Sequence, residues 1–369
     1  MRTVSNTPSR DPGRAPDPRA LRSLGLAVLG VYTPLALYLF RGVQRTGDGA
    51  AYTLQALAGD PLTRAVHAGW LVPLSAWTRT LHPLGVSPSV ATNAASALVL
   101  GGVLLLLVAL GRDLARDWAA TLPAFVAMGA VATWDAALFC EVYGALSFGL
   151  LGAVLALRRG RLLLAGLALF WAVTVHPGAL LLAPTVLLLG GRRASESIAP
   201  VAVAAALLTL WVLLIGPEAW TGPRGLGALP GDLSPGHSLQ RAWRLLARDL
   251  GLTALPLLLG AFGAPRRRWL WAIGCGVVGS VIGLDRFGDN PGHLPLLFLT
   301  LPACALAPEL LRSRKGLVPL LWVLVALGVA EGTTRHDARA RRAVREQPAC
   351  GAPGEDYRAS MLAALACTP

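Results

Sequence analysis

Charge is what this chain lacks most. Of 369 residues only 14% are charged, against about 25% in a typical soluble domain. Lysine is nearly missing: Lys315 stands alone among 33 basic residues, a bias expected of a GC-rich genome. No CxxC pair is present to suggest a metal, no Asn-x-Ser/Thr sequon occurs, and the apolar residues follow neither a period-two nor a 3.6-residue pattern. These absences exclude a soluble core and cysteine-held zinc. The net charge of +13 does not point to nucleic acid. Arginine sits in short clusters between apolar runs, where it orients helices in a bilayer and forms no single basic face.

What remains is hydrophobic: 54% of the residues, with a mean hydropathy of +0.56. Apolar runs of about 15–20 residues match a hydrocarbon core about 30 Å thick. The sequence therefore reads as an all-α integral membrane protein with about eleven transmembrane helices. The expected spans are Leu21–Phe40, Val90–Leu110, Trp118–Leu138, Val142–Leu157, Leu162–Val175, Pro177–Leu189, Ile198–Ile215, Leu250–Phe262, Trp269–Leu284, Gly292–Leu306 and Leu317–Ala330. Residues 1–20, rich in Pro, Arg, Ser and Asp, are expected to be disordered and cytoplasmic. The first run resembles a signal peptide but has no small-residue cleavage site before Arg41, so it reads as an uncleaved span.

Short basic loops fix the register of this count. Arg112/Arg116, Arg158/Arg159/Arg161, Arg192/Arg193, Arg266/Arg267/Arg268 and Arg312/Arg314/Lys315 all fall inside if Leu162–Leu189 divides at His176-Pro177. The same count makes 65–81 an interfacial helix within an outer loop 41–89, its tryptophans at headgroup depth. Its stripe of Trp70, Leu74, Trp77 and Leu81 also allows a core helix. A second outer loop spans 216–249. Residues 332–369 are expected to form a polar tail, which an odd span count places on the outer side although its arginines oppose that side. Outside, an oxidising compartment would permit a Cys350–Cys367 disulfide. Cys140, Cys275 and Cys304 read as small hydrophobes.

This topology gathers the unusual polar residues on the outer side. Asp48 lies in Gly47-Asp48-Gly49, where glycines let backbone approach a ligand and the carboxylate could act as a general base; an ordinary Gly turn explains the pattern equally. Asp135, Glu141 and Tyr143 sit on apolar helix ends, where a charge needs a partner, water or a task; helix capping and an interfacial Tyr are the plainer alternative. His67 and His176 join them, and the helix start after Pro177 could present amides to a phosphate; a histidine in a tight turn is the simpler account. Arg286 could grip a phosphate bidentately, unless Asp285 or Asp289 neutralises it. Gly222–Gly231 lacks the preceding strand of a phosphate loop and reads as a flexible outer loop.

In their order these motifs resemble the GT-C membrane glycosyltransferases, in the bacterial branch grouped with protein O-mannosyltransferases. The similarity is carried by Gly47-Asp48-Gly49-Ala50-Ala51-Tyr52-Thr53-Leu54, His67 to Leu74, Glu141-Val142-Tyr143-Gly144-Ala145-Leu146 and His176-Pro177-Gly178 through Ala183-Pro184. It covers roughly 20–190, with a weaker echo at Arg286–Pro308. Ala51 stands where the family has a glutamate, and the segment after His67 departs from its His-Pro-Pro-Gly pattern. The resemblance implies a GT-C-like fold and transfer of a sugar from a polyprenyl-phosphate donor, at the outer leaflet of a bacterial inner membrane, to an acceptor hydroxyl. Asp48 would be the base, His176 and Arg286 would steady the departing phosphate, and Glu141 and Tyr143 would shape the sugar site. No metal cofactor is required by that scheme. A transporter or lipid flippase, or a non-catalytic assembly protein on the same scaffold, are the rival readings.

Overall fold

The computed structural model describes residues 18–59, 67–115, 117–191, 195–216, 251, 254–263, 266–280, 293–312, 316–350 and 356–368. Every described regular element is helical. In chain order these are α1 (Pro18–Leu39), α2 (Gly47–Ala58), α3 (Ala68–Leu81), α4 (Pro88–Leu114), α5 (Leu122–Gly129), α6 (Val131–Leu138), α7 (Val142–Arg158), α8 (Leu162–Val175), α9 (Ala179–Gly190), α10 (Ser195–Ile215), α11 (Ala254–Gly263), α12 (Arg266–Gly279), α13 (Leu294–Thr300), α14 (Ala307–Leu311), α15 (Leu317–Arg345) and α16 (Tyr357–Ala366). Short 3₁₀ turns precede α4, α5 and α14.

Five stretches are long and apolar enough to cross a membrane: Arg19–Leu39, Pro88–Leu114, Glu196–Ile215, Leu294–Leu311 and Leu317–Arg345. A sixth is the pair Asp117–Gly129 and Val131–Leu138 if it forms one crossing bent by 75°. Helices α7, α8 and α9 are apolar but shorter. Only 6% of the apolar window of α10 is buried; Ile198, Leu213 and Leu214 point outward. A helix apolar on every side but covered by so little protein needs apolar surroundings.

Helix α4 is central, with Leu100, Val103, Leu104 and Leu107 fully buried among α1, α6 and α7. Where lipid replaces water, helix association depends on close packing, and small residues permit it. Gly332 of α15 is such a place: a Cβ there would lie 2.3 Å from the Gly129 carbonyl oxygen at the end of α5. Between α8 and α9 the chain breaks as the His-Pro step requires. His176 is extended (φ −159°, ψ 126°), because Pro177 excludes the α conformation from the residue before it.

Three expectations change. Helix α1 starts at Pro18, so residues 18–20 leave the expected disordered segment; residues 1–17 lie outside the described residues. The tryptophans of α3 do not both sit at a lipid headgroup layer. Trp70 and Leu74 are buried because this face packs on α2, α4 and α8, and Trp77 Nε1 donates to the Ala91 carbonyl at 2.8 Å. The polar tail from 332 is no separate segment either: α15 runs unbroken for 29 residues, about 43 Å at 1.5 Å per residue. Its buried Gly332, His336, Ala340 and Ala343 recur at helical spacing and form one inward face. The outer loop 216–249 falls outside the described residues except at 216.

Candidate functional site

The site is built where α1 hands over to α2. Gln44, buried, donates from Nε2 to Thr53 Oγ1, Thr92 Oγ1 and Asn93 Oδ1 at 3.1, 3.2 and 2.7 Å, which ties the turn to α2 and α4. Thr46 then caps α2: its hydroxyl oxygen accepts from Gly49 N at 3.0 Å, as N-cap side chains do. The same hydroxyl donates to Glu141 Oε1 at 2.7 Å. One threonine thus joins the start of the Asp48 helix to the carboxyl group that opens α7.

Asp48 stands in the first turn of α2, where the helix dipole favours an anion. Gly49, next to it, has a different purpose from the one its motif suggests. A Cβ at Gly49 would lie 2.5 Å from the Phe139 carbonyl oxygen and 2.8 Å from Gln44 Oε1. The glycine lets the chain approach its own backbone. The facing turn is shaped by Cys140, whose φ of 53° is left-handed and uncommon for a residue with a Cβ; it turns the chain so that Glu141 meets Thr46.

Glu141 lies in the connection between α6 and α7 and is 3% exposed. Burial pushes its carboxyl up to about 8, the charges of Asp48 and Asp135 add to that, and the Thr46 hydroxyl and Arg45 oppose it. A carboxylic acid that keeps its proton at neutral pH therefore sits beside two other acids.

Asp135, on α6, is the centre of a second constellation. Its Oδ2 accepts from Arg45 at 2.9 Å and from Arg339 at 2.6 Å, and its Oδ1 is 2.9 Å from His336 Nδ1. Arg45 precedes α2 and Arg339 and His336 belong to α15, so one carboxylate on α6 binds three side chains from two distant segments. His336 is fully buried, and its Nε2 has no hydrogen-bond partner among the described residues. Breaking such a buried charge network by removing one member is strongly destabilising.

The histidines and tyrosines complete the arrangement. Tyr52 lies one turn beyond Asp48 on α2, with its ring centroid 5.5 Å from that of His67; His67 is 5.4 Å from His176, and His176 is 5.6 Å from Tyr143. His67 Nδ1 lies 2.8 Å from the Val175 carbonyl, so Nδ1 carries the hydrogen that carbonyl needs. His176 Nδ1 accepts from Gly178 N at 3.0 Å, which leaves its proton on Nε2 in the neutral ring. Burial, aided by the charge of His67, pushes His176 down to about 3. It is a neutral donor at physiological pH.

No protein-family model matches the chain, and a search of curated proteins finds no match. The site must be read from its own chemistry. Six residues singled out in the sequence, Asp48, His67, Asp135, Glu141, Tyr143 and His176, are drawn into this one region; Arg286 lies outside the described residues. Arg45, Thr46, His336 and Arg339 were missed. Arg45 was legible as the cation next to the Gly-Asp-Gly motif. Arg339 and His336 were hidden in what looked like a basic tail, and the four-residue recurrence of Gly332, His336 and Ala340 was the available signal. Among the described residues no group of three or more His, Cys, Asp or Glu is placed to hold a metal ion.

Proposed function

We propose that the chain is a membrane glycosyltransferase that moves a sugar from a polyprenyl-phosphate donor to an acceptor hydroxyl, with Asp48 as the general base. The observation that supports this reading best is the pairing of Asp48 with the buried, protonated Glu141 through Thr46 and the α2 N-terminus. A carboxyl group that keeps its proton beside Asp48 suits a reaction in which that group holds the substrate by donating a hydrogen bond while the other acid accepts a proton. Asp48 takes the hydroxyl proton as the acceptor oxygen attacks the anomeric carbon. The bond to the donor phosphate breaks, and the lipid phosphate leaves with the electron pair, inverting the anomeric centre.

Glu141, Tyr143 and His67 line the sugar side. His176 serves the leaving phosphate as a neutral Nε2–H donor, and positive charge at this end comes from Arg45 and Arg339, with Arg286 as a further candidate. Donors fixed in advance help most where charge develops in the transition state. In the membrane, α7, α8, α9, α11 and α12 add five crossings to the six long ones, giving eleven. The N-terminus is then cytoplasmic, and the site faces the periplasm from a bacterial inner membrane. The acidic and histidine cluster at one end favours this reading over a transporter, which would carry ionisable groups along a path through the bilayer.

The test is sugar transfer by membranes containing the wild-type chain or Asp48→Asn, supplied with polyprenyl-phosphate sugars and crude acceptor. Removal of a general base should slow turnover about 10²–10⁴-fold at equal expression. Undiminished turnover in Asp48→Asn would remove Asp48 from the mechanism. Absence of turnover with every donor, by folded wild-type protein, would favour the transport or assembly readings.

A further inference from the structure

The C-terminal segment reaches back to the start of the chain. Cys350 and Cys367 form a disulfide that closes a ring around α16, and both cysteines are exposed. Helix α16 packs on α2, where Leu362 and Leu365 bury Ala50, with Leu54 and Met361 beside them. Polar contacts fall on the turn before α2: Arg358 Nε donates to the Arg45 carbonyl at 2.8 Å, and Gln347 Nε2 donates to the Gln44 carbonyl at 2.8 Å. Asp356 caps α16 by accepting from Ala359 N at 2.7 Å. Arg358 within the ring and Gln347 just before it thus hold the two residues, Gln44 and Arg45, that position Asp48 and bind Asp135.

This docking is weak apart from the ring. A helix of 10 residues is marginal in isolation, and among the described residues the buried apolar contact is small: Ala50, Leu362 and Leu365, with Leu54 and Met361 packed against them. Ring closure limits the freedom of the undocked segment and so favours docking. We propose that the Cys350–Cys367 ring is a thiol-sensitive clasp on the candidate site, which holds α2 and the Gln44–Arg45 turn in place when oxidised and releases them when reduced. A dithiol supplies two electrons and two protons; the S–S bond becomes two thiols, and the dithiol becomes a disulfide. The clasp stands independently of the sugar-transfer reading, because its readout needs no substrate.

The experiment is hydrogen exchange followed by mass spectrometry on the full chain in lipid nanodiscs, oxidised and after dithiol treatment. Alkylation of Cys350 and Cys367 verifies reduction. Exchange across 47–58 and 357–366 should rise at least about tenfold on reduction, with α4 and α7 unchanged. Leu362→Asp with the disulfide intact should reproduce the rise across α2, and Cys350→Ser/Cys367→Ser should show it without reductant. Verified reduction that leaves exchange across 47–58 unchanged would overturn the clasp. So would finding both cysteines as free thiols in protein trapped by alkylation as the membranes are opened.

Discussion

Gly49→Ala separates two accounts of the Gly-Asp-Gly motif. If Gly49 were only a flexible residue in the first turn of a helix, alanine would stabilise α2 by up to about 1 kcal/mol through propensity. The packing predicts the reverse. The new methyl would lie 2.5 Å from the Phe139 carbonyl oxygen, a backbone atom that no rotamer change can move. Overpacking of this kind costs about 1–3 kcal/mol, so the two effects leave a net loss of up to about 2 kcal/mol. The shift has a direction: α2 must move away from the 139–141 turn, which stretches the Thr46–Glu141 hydrogen bond. Thermal unfolding of the purified chain, followed by tryptophan fluorescence, should show a lowered midpoint for Gly49→Ala. Sugar transfer should fall with it. A midpoint equal to or above wild type would refute the close approach and return the glycine to the role of a turn residue.

Asp135→Asn should destabilise by about 3 kcal/mol, within the range for breaking a buried charge network, because Arg45 and Arg339 are left facing each other. Limited proteolysis should then cut after 339 sooner than in wild type. Glu141 gives a pH signature. Folded, it holds its proton up to about pH 8, whereas its ordinary value is 4.5, so the unfolded chain binds fewer protons over that window. Stability from the neutral form is complete below 4.5 and declines as pH rises toward about 8, where the decline ends. Glu141→Gln cannot lose a proton, so above the range in which His176 titrates its melting midpoint should stay flat from about pH 7 to about pH 8 while that of wild type falls. Equal slopes would place the titration elsewhere.

How much of this could be read from sequence depended on the distance over which each constraint acts. The apolar runs show directly as α1, α4, α10 and α15, because burial in lipid requires nothing beyond composition and length. The His176-Pro177 break was legible for a local reason, the steric demand of proline on its predecessor. Trp70 misled because a stripe of tryptophans has the same period whether it faces lipid or protein; only the presence of α2, α4 and α8 beside it decides. The polar cluster was half legible. Asp48, Glu141 and His176 announce themselves as acids and histidines amid apolar residues, whereas the Asp135–Arg339 pair spans 204 residues and no local pattern encodes it. Arginine in a basic segment looks the same whether it meets water or a buried aspartate.

That separation also sets an order of assembly. As the chain is made from its N-terminus, Arg45 and Asp135 are inserted long before Arg339 and His336 exist. Until α15 arrives, Asp135 has one guanidinium in place of two and no imidazole, and the face of α5 that later meets Gly332 lies uncovered. The cluster is therefore a late joint: it closes only when a distant helix is threaded into position, and a chain stalled before residue 336 would hold Asp135 with Arg45 as the one of its three partners yet made. Such an intermediate carries a defined defect, a carboxylate that lacks two of its three partners.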